Sequence, residues 1–131
     1  RMAQAASDAG ADAVVLINTL LGMAIDWRSR RPVLYNNTGG LSGPAIKPIA
    51  LRMVQEVRQA VDLPIIGVGG IATADDVLEF MVTGASAVEI GTSAMITPSC
   101  CLRIRNELEH LLKREGLSSI RELTGTLRLW P

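Results

Sequence analysis

Two short glycine-containing segments, Gly67-Val68-Gly69-Gly70 and Gly91-Thr92-Ser93, are the residues of this sequence best suited to chemistry. Glycine lets other groups come close to the main chain, and exposed N–H groups donate readily to phosphate oxygens. The second segment adds two hydroxyls. Either segment alone reads as well as a tight turn. Because each follows an apolar run, the pair predicts a phosphate cup. Asn18-Thr19 also stands directly after an apolar run. It offers an amide and a hydroxyl to a flat polar substrate, or a loop residue and a cap. The stretch Thr38 to Pro44 (TGGLSGP) is a further glycine-rich loop, with Gly43 nearest the helix that follows. It suits either close approach to a planar ring or a flexible connection. Lys47 lies in the first turn of that helix, where a cation is slightly unfavourable. We expect it to be solvated, with a part in anion binding as the other reading.

Acid–base machinery is missing from the pattern. Asp26, Asp62, Asp75 and Asp76 lie near loops, but none is spaced against a nucleophile or histidine in an interpretable way. His110 falls mid-helix without a partner and reads as a surface residue. Cys100 and Cys101 are adjacent. That spacing disfavours an ordinary disulfide and matches no metal motif, so both read as packed helix residues in a reducing, cytoplasmic setting.

The elements that must position these groups follow from the apolar pattern. Ala13 to Ile17, Leu63 to Val68 and Ala85 to Ile90 are nearly continuous apolar runs, the signature of strands buried on both faces. Helical spacing appears over Ala45 to Val61, Ala74 to Val82, Pro98 to Glu115 and, more briefly, Ser118 to Leu123. Thr73 is the expected N-cap of the second, with Asp75 and Asp76 in its first turn. The Pro98 to Glu115 helix is expected to turn Cys101, Ile104, Leu108, Leu111 and Leu112 inward. Arg1 to Ala9 reads as the last turns of a helix closed by Gly10, which suggests a start inside a longer protein. The order β-loop-α, three times over, predicts parallel strands with ligands at their C-terminal ends. The connection Leu20 to Pro44 exceeds the usual ~2–6 residues and favours a functional loop. Met23 to Trp27 and Arg31 to Tyr35 suggest an extra hairpin within it.

Composition narrows the field further. Thirteen Lys+Arg balance thirteen Asp+Glu, so there is no basic surplus to attract nucleic acid or anionic lipid, and any anion must be held locally. No apolar run approaches the ~18 residues of a membrane span, and no signal peptide is legible. Trp27, Tyr35, Phe80 and Trp130 form no stacking series. The 131 residues are about half of the ~250 that a closed (β/α)₈ barrel usually takes.

The segments LINTL at 16–20, NNTGGLSGPAIKP at 36–48, PIIGVGGI at 64–71 and GASAVEIGT at 84–92 closely resemble the C-terminal part of class 1 dihydroorotate dehydrogenases. The stretch LSGPAIKPIALR is most similar to the B type. The resemblance runs from about residue 2 to 125. It implies that residues 1–131 form a single partial domain, the C-terminal portion of an FMN-binding (β/α)₈ TIM barrel with three parallel βα units. The implied reaction is the oxidation of dihydroorotate to orotate in pyrimidine (UMP) biosynthesis. Ile17 and Gly43 would then contact FMN, Gly69, Gly70, Gly91 and Thr92 would bind its phosphate, and Asn18 and Thr19 would hydrogen-bond orotate. The B type also implies an iron–sulfur flavoprotein partner carrying FAD and a 2Fe-2S cluster, linked to NAD, in a homo-oligomer or heterotetramer. The family's catalytic base, a cysteine in the B type, belongs to the N-terminal half, and neither Cys100 nor Cys101 stands at its place in the order.

Two other readings stay open on the residues alone. One is a different phosphate-binding barrel enzyme: a lyase, an isomerase or another flavin oxidoreductase. The other is a non-catalytic half-barrel that self-associates through unpaired strand edges. Because the base is expected outside these residues, the purified 131-residue chain should show no turnover of dihydroorotate in a steady-state assay. A measurable rate would contradict the division of the site inferred here.

Overall fold

The structure is a computed structural model that describes all residues from Arg1 to Pro131. Its centre is a three-stranded parallel sheet in the order β1 (Val14–Leu16), β6 (Ile65–Val68), β7 (Ala87–Glu89). Val14 pairs with Ile65 and Leu16 with Gly67, while Ile66 pairs with Ala87 and Val68 with Glu89. These are the three expected strands, trimmed at their ends. Main-chain bonds continue beyond the trimmed spans, from Ile17 N–H to Val68 O (2.9 Å) and from Ser86 N–H to Ile65 O (2.7 Å).

Helix α1 (Met2–Asp8) precedes the sheet, α2 (Lys47–Ala60) leads into β6, and α3 (Ala74–Thr83) links β6 to β7. Beyond β7 lie a short α4 (Thr92–Ile96), α5 (Cys100–Arg114) and a 3-10 turn over Ile120–Leu123. No helix is long and apolar enough to cross a membrane. Helix α3 starts as its sequence requires: Thr73 Oγ1 accepts from Asp76 N–H (3.2 Å) and Asp76 Oδ2 accepts from Thr73 N–H (2.8 Å). This reciprocal cap satisfies donors that a helix start leaves open.

The core lies on one face of the sheet. Ala50 and Val54 of α2, Val77, Phe80 and Met81 of α3, Ile104 of α5 and Ile65 of β6 form one buried cluster. Phe80 sits over β6 where Gly67 leaves room; a Cβ at Gly67 would overlap its ring. The other face is open. Val15 is 53% exposed, and Ala87 and Glu89 are exposed as well. The expectation that all three strands are buried on both faces therefore needs correction. Within this chain the helices cover one side only, and the apolar runs of β1 and β7 leave their other side exposed.

Two further corrections concern α5 and the long connection. The inward stripe of α5 runs through Cys100, not Cys101. Cys100 is 1% exposed and stacks one turn before Ile104, whereas Cys101 faces outward; both thiols are free. The connection does hold the expected hairpin, narrowed to β3 (Ile25–Asp26) and β4 (Arg31–Pro32), with Asp26 accepting from Arg28 N–H (3.0 Å) in its turn. It also holds a ribbon that glycine content concealed: β2 (Leu20–Gly22) pairs antiparallel with β5 (Gly39–Leu41). The glycine-rich loop expected over Thr38 to Pro44, read either as a close approach to a planar ring or as a flexible connection, is thus partly strand.

Phe80 is wholly buried at the junction of α3 with the sheet, so truncating it leaves a cavity that the strand cannot collapse into. Phe80→Ala is expected to lower unfolding free energy by about 3–5 kcal/mol, read as a shift of the denaturant midpoint at unchanged slope.

Candidate functional site

The C-terminal ends of β1, β6 and β7 open onto one cavity of about 240 Å3. Its walls come from four segments that sequence places far apart. Ile17 and Thr19 follow β1, Ser42 and Gly43 follow β5, Val68 to Ile71 end β6, and Glu89 with Gly91 to Ser93 end β7. Ile46 and Met95 complete the apolar part of the lining. Seven of the eight candidate site residues thus line a single space: Ile17, Thr19, Gly43, Gly69, Gly70, Gly91 and Thr92. Asn18 does not line it; its Oδ1 accepts from Thr19 N–H at 2.9 Å.

The main chain around Gly70 explains why the cavity can exist. Gly70 has φ +81°, a region that side chains disfavour. A Cβ there would lie 2.8 Å from Lys47 Cβ and 2.9 Å from both Gly43 O and Lys47 N. Glycine is therefore what allows the turn after β6 to lie against the start of α2. The N–H groups of Gly70, Gly91 and Thr92 donate to no main-chain acceptor in the chain. Unspent donors bordering a cavity whose wall a Cβ would obstruct are what an oxyanion needs. The second loop is held by its hydroxyls: Thr92 Oγ1 donates to Ser42 Oγ (2.8 Å) and Ser93 Oγ donates to Ile71 O (2.7 Å). These two hydroxyls tie the ends of β5, β6 and β7 into one rim.

Charge is arranged less predictably. Glu89 is the one acidic or basic side chain in the lining. Lys47, expected to be solvated, is instead paired, with Nζ 2.5 Å from Asp76 Oδ1 and 2.7 Å from Glu79 Oε2. Its pKa is held above the usual lysine value by those two hydrogen bonds. Burial alone would raise the Asp76 carboxyl. The bonds it accepts from Lys47 and from the N–H groups of Ala72 and Thr73 outweigh that and hold it below the usual value. The remaining acidic candidates play no part in the cavity: Asp26 closes its turn, and Asp62 and Asp75 are exposed. His110 is exposed, as expected. Neither Lys47–Asp76 nor the Ser42 contact was foreseen, because both depend on segments brought together from 29 and 50 residues apart.

The family model described as dihydroorotate dehydrogenase matches residues 1–112 of the chain. The chain belongs to the dihydroorotate dehydrogenase family. It is 59% identical over 126 residues to a protein of Pelobacter propionicus named dihydroorotate dehydrogenase B (NAD(+)), catalytic subunit, covering 96% of this chain and 41% of that protein. Proteins of the same name from Geotalea uraniireducens and Bacillus pumilus are 58% and 54% identical, over 126 and 129 residues. The chain spans about 41% of the length of these relatives, and the match is to a C-terminal part. Family and relatives alike mark the dehydrogenase as an oxidoreductase.

The ion pair at the rim makes stability depend on pH in a defined direction. With the Asp76 pKa lowered on folding, its contribution is complete above the unfolded carboxyl value of about 4 and is lost as pH falls through the lower folded value. Lys47, raised on folding, contributes fully below about pH 10 and loses that contribution in stronger alkali. The stability gap between wild type and Asp76→Asn, followed by chemical denaturation, should stay flat from neutral pH into mild acid and close below about pH 4.

Proposed function

We propose that these residues form the phosphate-binding side of a B-type dihydroorotate dehydrogenase catalytic subunit, in a (β/α)₈ barrel to which this chain contributes three parallel βα units. The single observation that carries the reading is the cavity at the three strand ends, where unspent N–H groups of Gly70, Gly91 and Thr92 stand around a space without any basic side chain. A dianionic group held by main-chain donors fits both that geometry and the net charge of zero. Terminal phosphate binding at the ends of late barrel strands is the general arrangement.

The cofactor that suits this site is FMN, which when bound accepts the hydride from dihydroorotate. Gly69, Gly70, Gly91 and Thr92 hold its phosphate; Ile17 and Gly43 border the flavin. Thr19 supplies a hydroxyl to the substrate. Asn18, with its Oδ1 already engaged by Thr19 N–H, keeps an amide N–H₂ free to donate to an orotate oxygen. The proton leaving the substrate goes to a base outside these residues. Apolar side chains of Ile46, Val68 and Met95 help exclude water from the cofactor. The relatives are named catalytic subunits, which favours a second subunit here too. We assign that role to an iron–sulfur flavoprotein with FAD and a 2Fe-2S cluster that passes electrons to NAD. We assign the protein to pyrimidine synthesis, in the cytoplasm.

The full-length protein should purify yellow with the absorbance of FMN, and dihydroorotate added without oxygen should bleach it. A protein that is colourless and takes up no FMN on reconstitution would exclude this reading in favour of a lyase or isomerase on the same scaffold.

A further inference from the structure

Asp76 is bonded in two directions. Through Oδ1 it accepts from Lys47 Nζ at 2.5 Å, and through Oδ2 from the N–H groups of Ala72 (2.9 Å) and Thr73 (2.8 Å). One carboxylate thereby joins the first residue of α2 to the exit of the glycine turn after β6. Glu79 backs the lysine from the next turn of α3, at 2.7 Å. The pair is largely shielded, with side-chain exposures of 23% for Lys47 and 12% for Asp76. Neither residue lines the cavity. Gly70 packs on Lys47 N and Gly43 O. The far side of the turn is fixed by Ser93 Oγ on Ile71 O (2.7 Å) and by Arg103 Nη2 on Ala72 O (2.9 Å).

Against a well-packed apolar pair in the same place, a partly buried ion pair of this kind offers the fold little extra stability. Its value lies in geometry. Lys47, whose main chain packs on Gly70, has its charge spent on two carboxylates, so it holds the turn in place rather than meeting an anion itself. On the reading of the cavity as the FMN phosphate site, we propose that Lys47 and Asp76 are positioning residues that preset the turn at Gly70 for the phosphate. Preorganised donors bind without a cost of ordering at the moment of association. The effect of the pair should accordingly appear in the part of flavin affinity that depends on phosphate.

The experiment uses the full-length protein stripped of flavin and titrated with FMN and with riboflavin, which lacks the phosphate, by quenching of flavin fluorescence. Wild type should prefer FMN. Asp76→Asn and Lys47→Gln should weaken FMN binding about tenfold or more, roughly 1.4 kcal/mol, with riboflavin binding changed less than about twofold. Lys47→Arg, which can still reach both carboxylates, should restore most of the preference. If Asp76→Asn fails to fold, Lys47→Gln decides alone, since it leaves the bonds to Ala72 and Thr73 in place. An unchanged ratio of FMN to riboflavin affinity in the variants, or equal losses for both ligands, overturns the positioning role. A wild type that binds FMN and riboflavin equally overturns the phosphate reading itself, and the positioning role with it.

Discussion

The close approach of the turn after β6 to the start of α2 is the constraint on which the rest of the site depends. It is possible only because residue 70 has no side chain: any Cβ there would meet Lys47 and the Gly43 carbonyl at under 3 Å. From that approach follow the position of Gly43 beside the cavity and the reach of Lys47 to Asp76. The energetic logic is that of a backbone site. Donors fixed by the fold need no basic side chain, so the proposed phosphate site is compatible with a chain of zero net charge.

The core serves the same end. Phe80 packed where Gly67 leaves space fixes α3 against β6, and α3 carries both Thr73, its cap, and Asp76, the anchor of the turn. The hydrophobic packing on one face of the sheet therefore reaches the cavity through only a few residues. The opposite face, with Val15 and Ala87 exposed, has no such role within these 131 residues. Sheets of parallel strands are ordinarily covered on both sides, which agrees with a chain that spans about 41% of its relatives' length.

Much of this was legible in the sequence because it is local. Continuous apolar runs fixed the three parallel strands, and a threonine three residues before an aspartate marked the start of α3. Gly69, Gly70, Gly91 and Thr92 were accessible because each follows a strand in a recurrent architecture, and Gly43 because it precedes a helix, whereas Ile17 entered only through the family resemblance. What sequence concealed was non-local or against propensity. The β2–β5 ribbon hides behind Gly39 and Gly40, residues that weaken a strand signal. Lys47 looked solvated because its partners lie on another helix. Cys101 took the place of Cys100 in the expected stripe because adjacent identical residues give periodicity nothing to choose between.

The role of this cavity is decided by where a phosphate sits. A crystal structure of the full-length protein loaded with FMN tests this most directly. The phosphate is expected within hydrogen-bonding distance of the main-chain N–H groups of Gly70 and Thr92, with the Lys47–Asp76 pair intact beside it. A phosphate bound elsewhere, or one contacted by Lys47 with its tie to Asp76 broken, would contradict it.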